Sequence, residues 1–398
     1  MDKQYTPTYH RMWNRDFSLL TIAELLLCTA CYTTIPLLPY RLYAGQYVSM
    51  ETACLTVVLF VAGICLSGFF GCWLIQRYRR NKVFFVSTVC LAATIMAMSA
   101  FDDAKGKHAQ DWQIMALMCT CAIGGIAFGH AKRVLSCTLM IDKTESCHRT
   151  EANYAAIWIA RLAIVAGPII ALQLHDEMQS SAFYGACTAI ALAAALLVIT
   201  VKFPFRAPEE ETKILSIDRF FLPQGWNVAT VIALMSAALG IIISTHTNTE
   251  FLCSLVAGFV ISIIMLRYRA VREGRYISAI GNACILAAVA AMVMHDGLLD
   301  NTLKPMILGI GFGATGSEQL YKLLDRCDHC QRSTAESTYF MASDGGLFLG
   351  LAAGWSGLWN NTGYAVTGEQ TTLLLFVTAT VMCSINALVK KKHIEHRA

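Results

Sequence analysis

The sequence predicts an all-α polytopic membrane protein: 12 transmembrane helices in two pseudo-symmetric six-helix halves. Three observations lead there. Hydrophobic residues make up 56% of the chain and charged residues only 15%, with a mean hydropathy of +0.51, whereas a soluble globular chain carries about 25% charged residues. Apolar runs of bilayer length recur along the whole chain. A glycine pattern from the first half returns in the second.

A helix needs about 20 apolar residues to cross a bilayer. Such runs occupy 17–42, 52–76, 83–101, 112–140, 152–174, 182–201, 227–246, 251–268, 277–294, 303–324, 334–358 and 371–389. The first is long and holds Glu24, features that speak against a cleaved signal peptide. Pro36 and Pro39 predict a kink towards its end. The joints are short and polar except 202–226, "KFPFRAPEEETKILSIDRFFLPQGW". This stretch divides the chain into an N-terminal bundle (1–201), a cytoplasmic linker (202–226) and a C-terminal bundle with a basic tail (227–398).

With both termini on one side, that side collects 24 of the 31 Lys and Arg. The other side holds 4, namely Arg41, Lys105, Lys107 and Lys304. Cytoplasmic loops carry the excess of Lys and Arg, so both termini are expected in the cytoplasm, with the protein in the cell membrane. The tail "KKKHIEHR" reads as an anchor on anionic lipid. The net charge of +4 thus reflects orientation. Its scatter over many segments excludes a nucleic-acid patch.

The repeat lies in spans 4 and 10. "GIAFG" at 125–129 returns as "GIGFG" at 309–313, an offset of 184. With one residue dropped in the loop, Arg149 meets Arg332, Thr150 meets Ser333, Ala152 meets Ala335, Gly167 meets Gly350 and Ala171 meets Gly354. A register that persists through a basic loop into the next span reads as duplication.

Two six-helix halves joined by a cytoplasmic linker resemble the major facilitator superfamily, over nearly the whole chain. Its basic loop between helices 2 and 3 is similar to "CWLIQRYRRNK", in which Leu74, Arg77, Arg80 and Lys82 fit. Gln76 stands where the family has the aspartate of a conformational latch. "AGPIIA", with Gly167 and Pro168, resembles the helix-5 signature of the drug:proton antiporter branch, and "YTTIPLLPYRL" resembles helix 1 of bacterial efflux members. The resemblance implies that helices 1, 4, 7 and 10 line a central cavity, and that 5 and 11 pack against the opposite half.

Ionisable groups deep in a span cost at least about 2.5–3.5 kcal/mol on insertion scales and face a bundle interior or wet cavity. Glu24, Arg133, Arg161, Glu318 and Asp344 are such groups. At 1.5 Å per residue they lie roughly 9–15 Å from the cytoplasmic ends of their helices, in one layer. Under the repeat, Arg161 falls on Asp344 and Arg133 falls one residue from Glu318. On the implied placement Glu24, Arg133 and Glu318 meet around the cavity, while Arg161 and Asp344 sit near the seam. Burial raises a carboxylate's pKa and a nearby Arg lowers it, so alternating the two couples protons to conformation. The competing readings are fixed ion pairs, gate pairs, or binding of a charged substrate. His130, Tyr32, Trp158 and Tyr339 are candidate cavity residues; Lys132 and His130 share helix 4 with Arg133.

The 16 cysteines lie largely in apolar runs and read as buried reduced thiols. Cys327 and Cys330 flank His329, and Cys147 precedes His148, but these are too few ligands for zinc, and no metal or cofactor is expected. Walker, H-E-x-x-H and G-x-S-x-G motifs do not occur, which argues against an enzyme. The expected function is alternating-access secondary transport of a small molecule by a monomer, as proton-coupled efflux. The alternatives are import of a polar nutrient such as a sugar or peptide, and a non-transporting receptor.

Overall fold

The computed structural model describes residues 13–102, 109–144, 148–203, 213–217, 219–267, 277–294, 301–328, 331–357 and 370–381. Cys147, His329, Cys330 and the basic tail lie outside them. The described chain forms helices and no strand. In order these are α1 (Arg15–Thr34), α2 (Met50–Arg77), α3 (Arg80–Asp102), α4 (Asp111–Val134), α5 (Arg149–Glu177), α6 (Ser180–Thr200), α7 (Trp226–Thr245), α8 (Thr249–Arg267), α9 (Ile277–Val293), α10 (Leu303–Leu324), α11 (Arg332–Ser356) and α12 (Gln370–Val381). By length and composition α1 to α7 each suffice to cross a membrane.

Local sequence explains the boundaries. The Asn14 side chain accepts from Phe17 N at 2.7 Å and starts α1; the Ser49 hydroxyl accepts from Thr52 N and starts α2. Pro36 and Pro39 interrupt α1, which resumes as the short helix Leu38–Ala44. Within the spans, hydroxyls return to the helix's own carbonyls, as Thr34 does to Ala30 O, Thr88 to Phe84 O and Ser244 to Ile241 O. A bilayer offers them no water, so such bonds are needed. Leu196, Ile199, Met115 and Val86 point outward and are exposed, as lipid-facing side chains are.

The two halves repeat their contacts. In the first, α1 packs on α5, α2 on α4, and α3 on α4; in the second, α7 packs on α11, α8 on α10, and α9 on α10. Across the seam α2 meets α11 and α5 meets α8. The glycine pattern belongs to these contacts. A Cβ at Gly125 would overlap the Phe60 carbonyl of α2, and one at Gly309 the Leu255 carbonyl of α8. Reciprocally, Gly63 abuts the Ala122 carbonyl and Gly258 the Met306 carbonyl. Helices α2 and α8 therefore correspond at an offset of 195, at which Val61-Ala62-Gly63 and Ser67 recur as Val256-Ala257-Gly258 and Ser262.

Candidate functional site

At the seam a knot of three side chains is sealed from solvent. Lys132 of α4 places Nζ 2.9 Å from Oδ1 and 2.6 Å from Oδ2 of Asp344 on α11. Tyr32 of α1 donates its hydroxyl to Asp344 Oδ1 at 2.6 Å and accepts from Lys132 Nζ at 3.0 Å. The Lys132 and Asp344 side chains are each 3% exposed and Tyr32 is fully buried. Phe348 stacks on Tyr32, Phe128 meets it edge-on, and the Phe340 ring centroid lies 4.5 Å from Lys132 Nζ. Tyr32 is placed by Gly167: any Cβ there would press on the Tyr32 backbone, so the glycine of "AGPIIA" lets α5 close on α1. Pro168 is carried inside α5 without ending it.

Towards the end at which α1 begins, the near end, two more acids are fully buried. Glu24 accepts from the Ser136 hydroxyl at 2.6 Å through Oε1. Glu336 of α11 lies against the Cys137 thiol, and no nitrogen or oxygen donor among the described residues bonds its carboxylate. Ser136 and Cys137 belong to Leu135–Met140, a π-helical turn that continues α4. One residue is added there, which turns both side chains towards the acids; π-bulges gather at functional sites.

Glu24, Arg133 and Glu318 do not meet around a cavity, while Arg161 and Asp344 each make a contact across the two halves. Asp344 takes Lys132 as its partner. Arg133 turns away to α2, where it bonds Ser67 Oγ at 2.6 Å and Ile64 O at 3.2 Å, and meets neither Glu24 nor Glu318. Glu318 pairs with Lys322 one turn along its own helix, at 2.9 Å and partly exposed. Arg161 donates to Phe312 O of α10 at 2.6 Å, with its guanidinium 5.7 Å from the Tyr339 ring centroid. His130 is buried beside Gly71 and Arg133. Sequence reasoning set Lys132 aside and passed over Glu336. Both left a signal, being ionisable groups inside apolar runs.

Next to the knot lies a narrow, partly open pocket. Side chains of α5, α7, α8, α10 and α11 line it, Leu239, Phe259 and Phe312 among them, with Arg161, Ser236 and Ser343 as its polar lining. Ser343 faces the cavity while its neighbour Asp344 faces Lys132, so one turn of α11 serves both. Trp158 stands behind Phe259, ring centroids 5.3 Å apart. Tyr32, His130, Trp158 and Tyr339 do not line the cavity itself.

Both ends of the seam are joined. At the far end Trp355 Nε1 donates to Pro36 O at 2.9 Å, and its ring lies 5.5 Å from that of Tyr40. At the near end Ser333 donates to Cys137 O at 3.1 Å. In the basic loop Cys72 bonds Gln76 Oε1 and Arg80 forms an ion pair with Asp142 past the end of α4. The carboxylate that position 76 lacks is thus supplied to this loop from α4's end.

The Major Facilitator Superfamily model matches residues 20–351, most of the chain. The chain belongs to the Major Facilitator Superfamily. Among solved structures, this facilitator is similar to a bacterial homologue of the iron transporter ferroportin in an outward-facing state, with TM-score 0.65, 16% identity, and coverage of 93% of this chain and 100% of that one. It is similar also to an auto-inhibited peptide transporter of the POT family (TM-score 0.64, 12% identity, coverage 95% and 97%). A third is a point mutant of the nucleoside transporter NupG (TM-score 0.60, 15% identity, coverage 94% and 99%). These likenesses carry the fold. No curated protein matches the chain. The family and fold make this facilitator a secondary transporter embedded in a membrane and not an enzyme.

Proposed function

We propose that this facilitator expels a small amphipathic solute from the cell in exchange for protons, with both termini cytoplasmic. The observation that carries the reading is the Lys132–Asp344–Tyr32 knot, which ties α1 and α4 of one half to α11 of the other. Rocking the halves apart breaks it. Removing one partner of a buried pair leaves a bare charge, at a cost of about 3–5 kcal/mol. A proton on Asp344 dissolves the ion pair and leaves Lys132 the bare buried cation of the closed arrangement, so the cost now falls on staying closed and is relieved when the halves part and Lys132 meets water. Proton arrival and opening then become one event.

Glu24 precedes Tyr32 by eight residues on α1, and Glu336 precedes Asp344 by eight on α11. At 1.5 Å per residue both acids lie about 12 Å nearer the cytoplasmic end than the knot. They supply stations along which the proton leaves. Export fits the cavity better than sugar uptake does, because its lining is apolar apart from three side chains.

The test is transport in proteoliposomes with an imposed pH gradient. Asp344→Asn is expected to lose gradient-driven transport by about tenfold or more while keeping solute exchange without a gradient. Full gradient dependence in that variant would sink the coupling role of Asp344.

A further inference from the structure

We infer that the exported solute is an organic anion, an apolar body carrying one carboxylate or similar acid, and that Arg161 is its anchor. This rests on the export reading above and names its substrate class.

The pseudo-symmetry supplies the argument. The offset of 184 that joins α4 to α10 carries Lys132 onto Gly316, and the offset of 183 that joins α5 to α11 carries Arg161 onto Asp344. The contact of α4 with α11, built by Lys132 and Asp344, therefore has a counterpart between α10 and α5, built by Gly316 and Arg161. In the structure these two do meet: a Cβ at Gly316 would overlap the Arg161 guanidinium. One contact holds a cation and an anion, both from the protein. Its counterpart holds a cation alone.

Nothing on the described protein replaces the missing anion. Among the described residues no carboxylate pairs with Arg161, which donates to the Phe312 carbonyl. Asp344 is spent on Lys132 and Tyr32, and Glu318 on Lys322. Among the described residues the guanidinium is the one charged group that lines the cavity, beside Leu239, Phe259 and Phe312. An unpaired cation in low-dielectric surroundings attracts an acid and repels an amine. A guanidinium also presents a planar fork that a carboxylate matches. Gly316 is the space in which the head of Arg161 rests, so it is a positioning residue for the anchor.

Calorimetric titration of the full-length protein in detergent, with no pH gradient, tests this with three probes of one shape: 1-naphthoate, 1-naphthylmethanol and 1-naphthylmethylammonium. Wild type is expected to bind the carboxylate at least about tenfold more tightly than the alcohol, and the ammonium most weakly. Arg161→Met is expected to bring carboxylate and alcohol to the same affinity. Arg161→Lys, which keeps the charge, should retain part of the preference, and Gly316→Ala, which displaces the guanidinium, should reduce it. The Lys and Ala variants decide the matter should the Met variant not fold. A naphthoate affinity no better than the alcohol's in wild type, absence of binding included, overturns the inference, as does a preference that survives Arg161→Met. Because no gradient is present, proton coupling can fail with anion binding intact. Equally, charge-blind binding with gradient-driven export defeats only the anion anchor.

Discussion

Lys132 has three ammonium protons and spends them on two acceptor groups, the Asp344 carboxylate and the Tyr32 hydroxyl. A buried pair offsets its desolvation only when its remaining bonds are satisfied, and this one is satisfied. Lys132→Met leaves Asp344 bare and is expected to lower stability in detergent by about 3–5 kcal/mol. The double variant Lys132→Met/Asp344→Leu should recover most of that loss, because apolar replacement of a whole buried pair is close to neutral. Unfolding curves of the two singles and the double check it; equal losses in single and double would contradict the account. The same residue shows where sequence reasoning stops. Consecutive helix residues point about 100° apart, so Lys132 and Arg133 cannot both face α11. Depth along a span is only coarsely legible from residue counts: Glu24, counted into one layer with Asp344, lies a full eight residues along α1 from Tyr32, which meets Asp344. Azimuth is not legible, since every face of these spans is apolar and no periodicity marks the seam. Depth alone places Arg133 at the cavity, yet it is Lys132 that crosses to the other half.

At the scale of elements, the near end is closed by the linker as well as by helices. Ser216 N donates to Phe69 O at 3.1 Å and Leu222 N to Thr338 Oγ1 at 2.8 Å, so the linker between them bridges α2 and α11. Phe220 fills the space that Gly68 leaves open and lies 5.0 Å under the Arg133 guanidinium. Cation–π contacts of this kind are worth about 2 kcal/mol when desolvated. Phe220→Ala is expected to loosen the plug and admit water to the Ser136–Cys137 turn. Cys137, 4% exposed in the closed protein, should then react several-fold faster with a membrane-impermeant maleimide, read peptide by peptide by mass spectrometry. Unchanged labelling would mean that the helices alone seal this end. The linker's role is hidden in the sequence, because its prolines and glutamates mark a connection and say nothing of what Phe220 touches.

For the whole molecule, the fold was legible because lipid imposes it. In lipid a backbone is satisfied by helices or a closed barrel, and apolar runs of helix length, in a chain with 56% hydrophobic residues, choose helices. The duplication is readable in α4, α5, α10 and α11 because glycines hold their register where backbones touch; in α2 and α8 the shared Val-Ala-Gly is short, and the contacts of Gly63 and Gly258 fix its register. On the proposed transport reading, closure at the two ends alternates. Helices α1 and α11 meet at the far end through Trp355, Pro36 and Tyr40, and α4 and α11 meet at the near end through Cys137 and Ser333. Solute reaches the cavity between them only if one set parts. On that reading, rigid halves turning about the Lys132–Asp344 level would open one end by closing the other. Holding the far end shut should therefore abolish transport outright. In the double variant Tyr40→Cys/Trp355→Cys, a short bifunctional thiosulfonate is expected to stop solute movement in both directions, and reduction to restore it. The crosslinked protein should still bind solute entering from the near end, since that entrance is untouched. If transport persists with the far end locked, solute crosses by some route other than the seam, and the alternation of ends is wrong.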